Sequence, residues 1–159
     1  MSYDEPDRNL PVSFCFLVTF QNRQGKMFSA SFSEVRGIGW EVTTKTTREF
    51  GVVVEAPDRL KPKQLVLVRP LEALSEDLSD WLDTCARLMA FPSGTQYMLK
   101  YNTCDVVVKL LDSEGQPRAA WSFDHAYPSA YSLGDLKAAE SSLAIETITL
   151  TCNGLGRVV

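Results

Sequence analysis

Apolar and polar residues alternate along the N-terminal part of the chain with the period of two that is typical of β-strands. The alternation runs from residue 12 to residue 20, is broken by the turn-forming segment 21–25, and resumes at residues 28–32. This pattern predicts a β-hairpin with one strongly apolar face. That face carries Val12, Phe14, Phe16, Val18 and Phe20 on the first strand, and Phe28, Ala30 and Phe32 on the second.

A third strand is predicted next, where Trp40 and Val42 share one face. Its continuation from Thr43 to Arg48 is polar and β-branched on both faces. It has strand propensity without a core to pack against, so we expect it to project from the sheet. Residues 55–63 follow with two prolines and five charged residues, which excludes a central strand and indicates an exposed loop.

Helical periodicity is found in the segment of residues 75–89. Leu78, Trp81 and Cys85 fall on its apolar stripe, and Ser75 is placed to cap the N-terminus. The segment Phe91-Pro92-Ser93-Gly94 ends the helix. We expect this helix to cover an open edge or mouth of the sheet.

The C-terminal half returns to strand patterns. Residues 97–101 and 105–111 predict strands, and the turn-forming residues 112–117 predict a hairpin loop before a strand that carries Trp121 and Phe123. In the last strand the apolar positions change from odd to even numbers. Either both faces are covered, or a β-bulge lies near Glu146 and Thr147, and the bulge is the favoured interpretation.

These elements predict a mostly β fold, an antiparallel β-sandwich or barrel with one α-helix at about residues 75–89. A projecting β-hairpin or loop is expected at about residues 43–63. The length of 159 residues and the 45% hydrophobic content suit a single domain over residues 1–159, with residues 1–10 as a flexible N-terminal arm.

Charge and targeting signals exclude several functions. The net charge of −4 is spread along the chain without a basic block, which argues against nucleic-acid binding. The polar, acidic N-terminus is unlike a secretory signal, and no apolar run approaches transmembrane length. Cytoplasmic synthesis is therefore expected, without membrane insertion.

Candidate catalytic chemistry is sparse. His125 is the sole histidine and stands without a nucleophile motif, so a structural or surface role is favoured. The glycines around Ile38 and Leu155 are typical of turns. The acidic residues at 76–83 are typical of the solvent-exposed face of a helix. We predict no catalytic residue, cofactor or metal, and a protein that is not an enzyme. The aromatic residues Phe14, Phe16, Trp40, Trp121 and Phe123 are assigned to the core, and Cys15, Cys85, Cys104 and Cys152 to buried reduced thiols, with zinc ligation or disulfides as alternatives.

Two stretches together resemble the tail tube protein family of contractile phages and related extracellular contractile injection systems. The first, residues 32–41, reads Phe-Ser-Glu-Val-Arg-Gly-Ile-Gly-Trp-Glu. The second runs from Val106 through Leu111-Asp112, Gly115-Gln116-Pro117 and Trp121 to Ala126-Tyr127-Pro128, Leu136-Lys137-Ala138 and Ala144-Ile145-Glu146-Thr147, ending at Asn153-Gly154-Leu155. The resemblance covers about residues 14–155.

The resemblance implies a subunit that forms homo-hexameric rings, which stack into a conduit for cargo. Its implied partners are other tube rings, a baseplate hub or spike and a surrounding sheath. The implied location is a phage-tail-like particle that is assembled in the cytoplasm and can be released from the cell. Two departures are visible: Arg69-Pro70 replaces an arginine-glycine pair, and residues 51–63 replace a glycine-rich loop used in ring contacts. The altered loop at residues 51–63 favours a tube initiator over a repeating tube protein.

The polar residues of the projecting segment are the predicted contacts between subunits or rings. The alternative from another class is a small β-barrel that binds an apolar ligand, with Trp40, Trp121 and Tyr127 around a cavity. The predicted contact residues are Thr43, Thr44, Lys45, Thr46, Thr47, Arg48, Glu55, Asp58, Arg59, Lys61 and Lys63.

Overall fold

Ten strands and one helix make up the part of the chain that the computed structural model describes, namely residues 15–71, 76–90, 102–138 and 144–158. The elements are β1 (Cys15–Gln21), β2 (Met27–Phe32), β3 (Glu34–Arg36), β4 (Trp40–Glu49), β5 (Val52–Pro62), β6 (Leu65–Pro70), α1 (Glu76–Ala90), β7 (Cys104–Leu111), β8 (Pro117–Leu133), β9 (Ile145–Thr151) and β10 (Gly154–Arg157).

Eight of these strands form one antiparallel sheet in the order β2-β1-β7-β8-β9-β6-β3, with β10 beside β8. Only Ser33 separates β2 from β3, and its N–H donates to the carbonyl oxygen of Val68 at 3.0 Å. The two ends of the strand order therefore meet along one stretch of chain. The sheet folds over as a sandwich, which confirms the predicted mostly β, antiparallel fold with a helix.

The core lies between the folded halves of the sheet and beneath α1. The rings of Phe20 and Phe28 stack at 5.1 Å between centroids, and Trp81 of the helix packs on Phe20 at 5.4 Å. The indole N–H of Trp81 donates to the carbonyl oxygen of Asn102 at 2.6 Å. Full burial of one such side chain contributes roughly 1.5–3 kcal/mol. The helix thus covers the sheet through the apolar stripe predicted from its periodicity.

The predicted turns are confirmed by their side-chain hydrogen bonds. Asn22 Oδ1 accepts from the backbone N–H groups of Gln24 and Lys26. Asp112 Oδ1 accepts from those of Glu114 and Gln116, both at 2.9 Å. The bond from Gln116 is the main cause that lowers the pKa of the Asp112 carboxyl from its ordinary value.

The β-bulge predicted near Glu146 and Thr147 is wrong. Along β9 the register to β6 is continuous, and Glu146, Ile148 and Leu150 are all fully buried on one face. Ile145 points to the other face and is half exposed. The apolar parity changes in the sequence because a charged residue, Glu146, occupies a core position.

Several predictions concern residues outside the described ranges: the N-terminal arm at 1–10, Phe14 in the core, the cap Ser75, and the strand at 97–101. In the part of the chain that is described, no helix has the length and apolarity needed to cross a membrane.

Candidate assembly surface

A separate two-stranded hairpin, made of β4 and β5, begins at a tight turn around Gly37. Gly37 has a φ of +83°, and a Cβ atom at this position would overlap the carbonyl oxygen of Gln64. The N–H of Lys63 donates to the carbonyl oxygen of Gly39 at 3.0 Å and closes the base. Glycine is required here because both the backbone angle and the close approach exclude a side chain.

Residues 55–62 belong to β5, so the prediction of a loop at 55–63 is wrong for all but Lys63, whereas the predicted projecting β-hairpin at about residues 43–63 is confirmed. Each strand of a two-stranded hairpin is an edge strand, and an edge tolerates prolines that a central strand does not. The register shifts between Thr43 and Thr44, which pair with Arg59 and Pro57. Asp58 is left unpaired as a bulge, and the proline beside it costs the ladder little.

One face of the hairpin is apolar near its base. Near the base, Trp40 and Val42 share one face with Leu60, and these residues are 57%, 44% and 53% exposed. The assignment of Trp40 to the core was therefore wrong, although its face was predicted correctly. Phe16 and Trp121 pack at the margin of the core, and Phe123 lies fully within it.

Most of the predicted contact residues lie exposed on this hairpin. Thr43 and Thr47 are half-buried, because their hydroxyls donate across the hairpin to the carbonyl oxygens of Arg59 and Val54, at 3.2 and 3.4 Å. These two residues therefore stabilise the hairpin itself. The residues exposed to solvent are Thr44, Lys45, Thr46, Arg48, Glu55, Asp58, Arg59, Lys61 and Lys63.

The tip of the hairpin is Phe50-Gly51, with φ angles of +51° and +79°. Positive φ at both central residues is the signature of a type I′ turn, where Asn-Gly is the preferred pair. Phe50 is fully exposed, and Val52 and Val53 beside it are more than half exposed. The contact residues predicted from the sequence are all polar and do not include this apolar tip, whose signal in the sequence is the Phe-Gly pair between two β-branched runs.

A buried polar cluster lies where β6, β9 and β8 meet. Arg69 Nε donates to Glu146 Oε2 at 2.7 Å, and the Tyr131 hydroxyl donates to Glu146 Oε1 at 2.8 Å. The Arg69 guanidinium also stacks over the Phe32 ring, 5.0 Å from its centroid. Burial, followed by the Glu146 carboxylate, raises the pKa of Tyr131. This cluster joins three adjacent strands of the sheet.

His125 lies at the surface, as predicted, in a second polar cluster. Its backbone N–H donates to Asp105 Oδ1 at 3.2 Å, and Arg23 bonds to the same carboxylate oxygen at 2.5 Å. Arg23 Nη1 lies 3.3 Å from His125 Nε2. Partial burial raises the pKa of Asp105, but the hydrogen bonds from Arg23 and His125 outweigh it, so the pKa is lowered overall.

The residues of the ligand-binding alternative are not brought together around a cavity. Trp40 lies on the projecting hairpin, whereas Trp121 packs against the core. An apolar groove lies elsewhere, between α1 and β8. All four cysteines are free thiols, and all but the half-buried Cys15 are buried.

Chains of several solved structures share this fold. A chain of the anti-feeding prophage (AFP) baseplate, 6-fold symmetrised, has a TM-score of 0.65 at 23% identity, over 90% of this chain and 91% of that chain. A chain of the sheath-tube complex of an extracellular contractile injection system, PVC, has a TM-score of 0.65 at 16% identity. The match covers 91% of this chain and 88% of that chain. A chain of the AFP tube-terminating cap has a TM-score of 0.65 at 16% identity, and the match covers 100% of this chain and 93% of that chain. Identities this low establish the fold alone.

Family membership rests on the sequence over nearly its whole length. No curated protein sequence matches the chain. The family model for the T4-like virus tail tube protein gp19 matches residues 12–156. Membership confirms the resemblance predicted from the two motif stretches and makes the chain a structural component of a contractile tail-like particle rather than an enzyme. The chain belongs to the T4-like virus tail tube protein family.

Proposed function

We propose that this protein is a subunit of the inner tube of a contractile injection particle, forming hexameric rings that stack into a conduit for cargo. The observation that carries the proposal is the projecting hairpin, which presents two edge strands and exposed apolar side chains on a chain of the tail tube family. Among the described strands, β4 and β5 pair only with each other. Unpaired strand edges favour pairing with another chain.

When one hexameric ring stacks on the next, two unlike surfaces meet, each from a different copy of the same protein. A head-to-tail contact that does not close on itself extends into a filament, which is the geometry of a tube. The hairpin supplies one of the two unlike surfaces, because it stands away from the sheet and has both charged and apolar side chains. We assign Lys45, Arg48, Glu55 and Lys61 to contacts with neighbouring subunits or rings.

The bore of the tube is expected to be polar, so that cargo passes without adhering. The sheet faces opposite the core support this, because hydroxyl residues dominate two stripes there. Thr19 and Ser29 are hydrogen-bonded at 3.0 Å between their hydroxyls on one stripe. Thr147, Thr149 and Thr151 alternate with buried residues on β9 to form the other.

We place the subunit at an end of the tube, as an initiator ring that joins the tube to a baseplate hub or spike. Residues 52–62 form strand β5 here, whereas the family resemblance implies a glycine-rich loop between rings at residues 51–63. Related folds occur in a baseplate, a sheath-tube complex and a tube-terminating cap. Sheath and baseplate proteins are therefore the proposed partners. We propose that the particle assembles in the cytoplasm.

Negative-stain imaging of the purified protein tests both levels of this proposal. Rings, alone or with neighbouring tail proteins, support the tube function, and monomers under all these conditions contradict it. An initiator forms long tubes only when a second tube protein is added. Long tubes from this protein alone would assign it to the repeating tube instead.

A shortened hairpin tests the surface. Residues 46–55 are removed, and Lys45 is joined to Ala56, its cross-strand partner, through an Asn-Gly turn. Because the base of the hairpin is kept, the variant should fold as a monomer but fail to assemble. Its circular dichroism should differ from that of the wild type only by the loss of the deleted strand residues. Normal rings and tubes from this variant would show that the hairpin is not an assembly surface.

A further inference from the structure

An apolar groove of about 370 Å³ lies between α1 and the second half of β8. On the helix side it is lined by Leu82, Ala86 and Met89, and on the strand side by Ala130 and Tyr131. Met89 and Tyr131 are 41% and 50% exposed. Exposed apolar side chains that line one groove in this way favour binding of a partner that covers them.

The hairpin tip has the complementary shape and polarity. Phe50 is fully exposed at a positive φ angle, a position where a residue with a Cβ costs about 1 kcal/mol or more of local strain. An aromatic residue here is unfavourable for the isolated chain, both because of the backbone strain and because its apolar ring is exposed to water. Strain at an exposed residue is a common mark of a binding role.

Charge supports the same pairing. Asp83 lies at the rim of the groove, and Arg48 lies two residues before Phe50 on the tip. Among the ion pairs found between described residues, neither of these two side chains takes part. An arginine beside the inserted ring can therefore reach a carboxylate at the rim.

The tip does not occupy the groove of its own chain, since Phe50 is fully exposed. The hairpin meets its own sheet near the base, where β5 contacts β10. Ten residues of strand extend about 33 Å, so the tip reaches well beyond its own subunit.

We propose that Phe50 of one copy occupies the α1–β8 groove of a second copy, with Arg48 facing Asp83. This rests on the proposed function, since it requires that copies assemble. A phenylalanine buries roughly 150–250 Å², far below the 1,200–2,000 Å² of a stable interface. The insertion is therefore an anchor that adds to other ring contacts, and it does not by itself form a stable dimer.

Disulfide trapping tests the pairing directly. In a Cys15→Ser background the other three thiols are buried, so engineered cysteines react first. The double variant Phe50→Cys with Ala86→Cys should give a ladder of linked oligomers on mild oxidation. The matched control is Phe50→Cys with Asp80→Cys, which is exposed on the same helix but outside the groove; its yield should be at least tenfold lower.

A charge exchange provides a second readout that does not depend on cysteine chemistry. Arg48→Asp should reduce ring formation at least fivefold, and adding Asp83→Arg should restore it. Both residues are exposed, so neither change is expected to unfold the chain.

The outcomes separate this inference from the function on which it rests. Rings that form while the Phe50–Ala86 pair links no better than its control would overturn the inference and leave the tube function standing. Absence of any assembly would overturn both. A small apolar molecule retained in the groove, detected by native mass spectrometry of the assembled protein, would also overturn the inference.

Discussion

Arg69 on β6 and Glu146 on β9 form an ion pair at 2.7 Å in which both side chains are at least 94% removed from solvent. The two residues pair directly across the strands, so their contact follows from the register of the sheet. Tyr131 completes the hydrogen bonding of the carboxylate from β8. The pair thus joins three adjacent strands at a point where the sequence pattern alone suggests an interruption.

Removing one partner of this pair should be far more costly than removing both. Glu146→Leu or Arg69→Met alone leaves an unpaired buried charge and should lower the free energy of unfolding by about 3–5 kcal/mol. The double variant, with two apolar side chains of similar volume, should lose much less. Urea denaturation monitored by tryptophan fluorescence gives the three values. Additive losses in the double variant would show that the pair is not coupled.

The sequence predicts those parts of the fold that follow a simple period. The alternation at Val18 and Phe20 and the helical stripe at Trp81 both mark residues that are buried in the structure. Such patterns are reliable because every second or every third to fourth residue faces the same side. Glu146 breaks the rule, since its burial depends on a partner that lies 77 residues away.

The candidate site was predicted less completely than the fold. Its location on the projecting segment was inferred from polarity on both faces, and most of the polar residues there are exposed. Trp40 and Phe50 were not recognised as exposed, because apolar residues in strands usually face a core. Exposed aromatic residues are recognisable only once the hairpin is known to stand away from the sheet.

Gly37 at the base of the hairpin should be intolerant of substitution. Gly37→Ala combines a positive φ angle with overlap on the Gln64 carbonyl oxygen, so a loss of about 2 kcal/mol or more is expected. Two controls separate these causes by thermal unfolding. Gly25→Ala has the positive φ but open space, and should cost about 1 kcal/mol. Gly39→Ala has neither problem and should be near neutral; equal losses at all three sites would refute this explanation.

Phe50→Asn should have opposite effects on the monomer and on the assembly. Asparagine suits the type I′ turn, so the monomer should gain about 1 kcal/mol or less in its free energy of unfolding. Assembly should weaken because the exposed ring is lost. Unfolding of the monomer and sedimentation of the assemblies measure the two effects. A destabilised monomer would mean that the ring packs on its own chain.

The buried thiols should react slowly with a disulfide reagent in the native protein. Burial raises the pKa of Cys85 to about 11 and those of Cys104 and Cys152 to about 12, so the reactive thiolate is scarce at neutral pH. We expect one thiol, that of the half-buried Cys15, to react rapidly, and the other three only after denaturation. Cys15→Ser should abolish the fast phase. Four rapid equivalents in the native state would contradict the burial.

Asp105 should contribute stability that depends on pH. Its pKa in the folded state is lowered from 3.8, so its ion pair with Arg23 stabilises the fold fully above that value. The contribution is lost as the pH falls through the lower folded-state value. The difference in free energy of unfolding between wild type and Asp105→Asn should therefore be constant near neutrality and shrink below about pH 4. Arg23→Met should reduce the same dependence, and added salt should weaken it because the carboxylate is 44% exposed. A difference that persists unchanged at pH 2 would mean that Asp105 stabilises the fold through its shape rather than its charge.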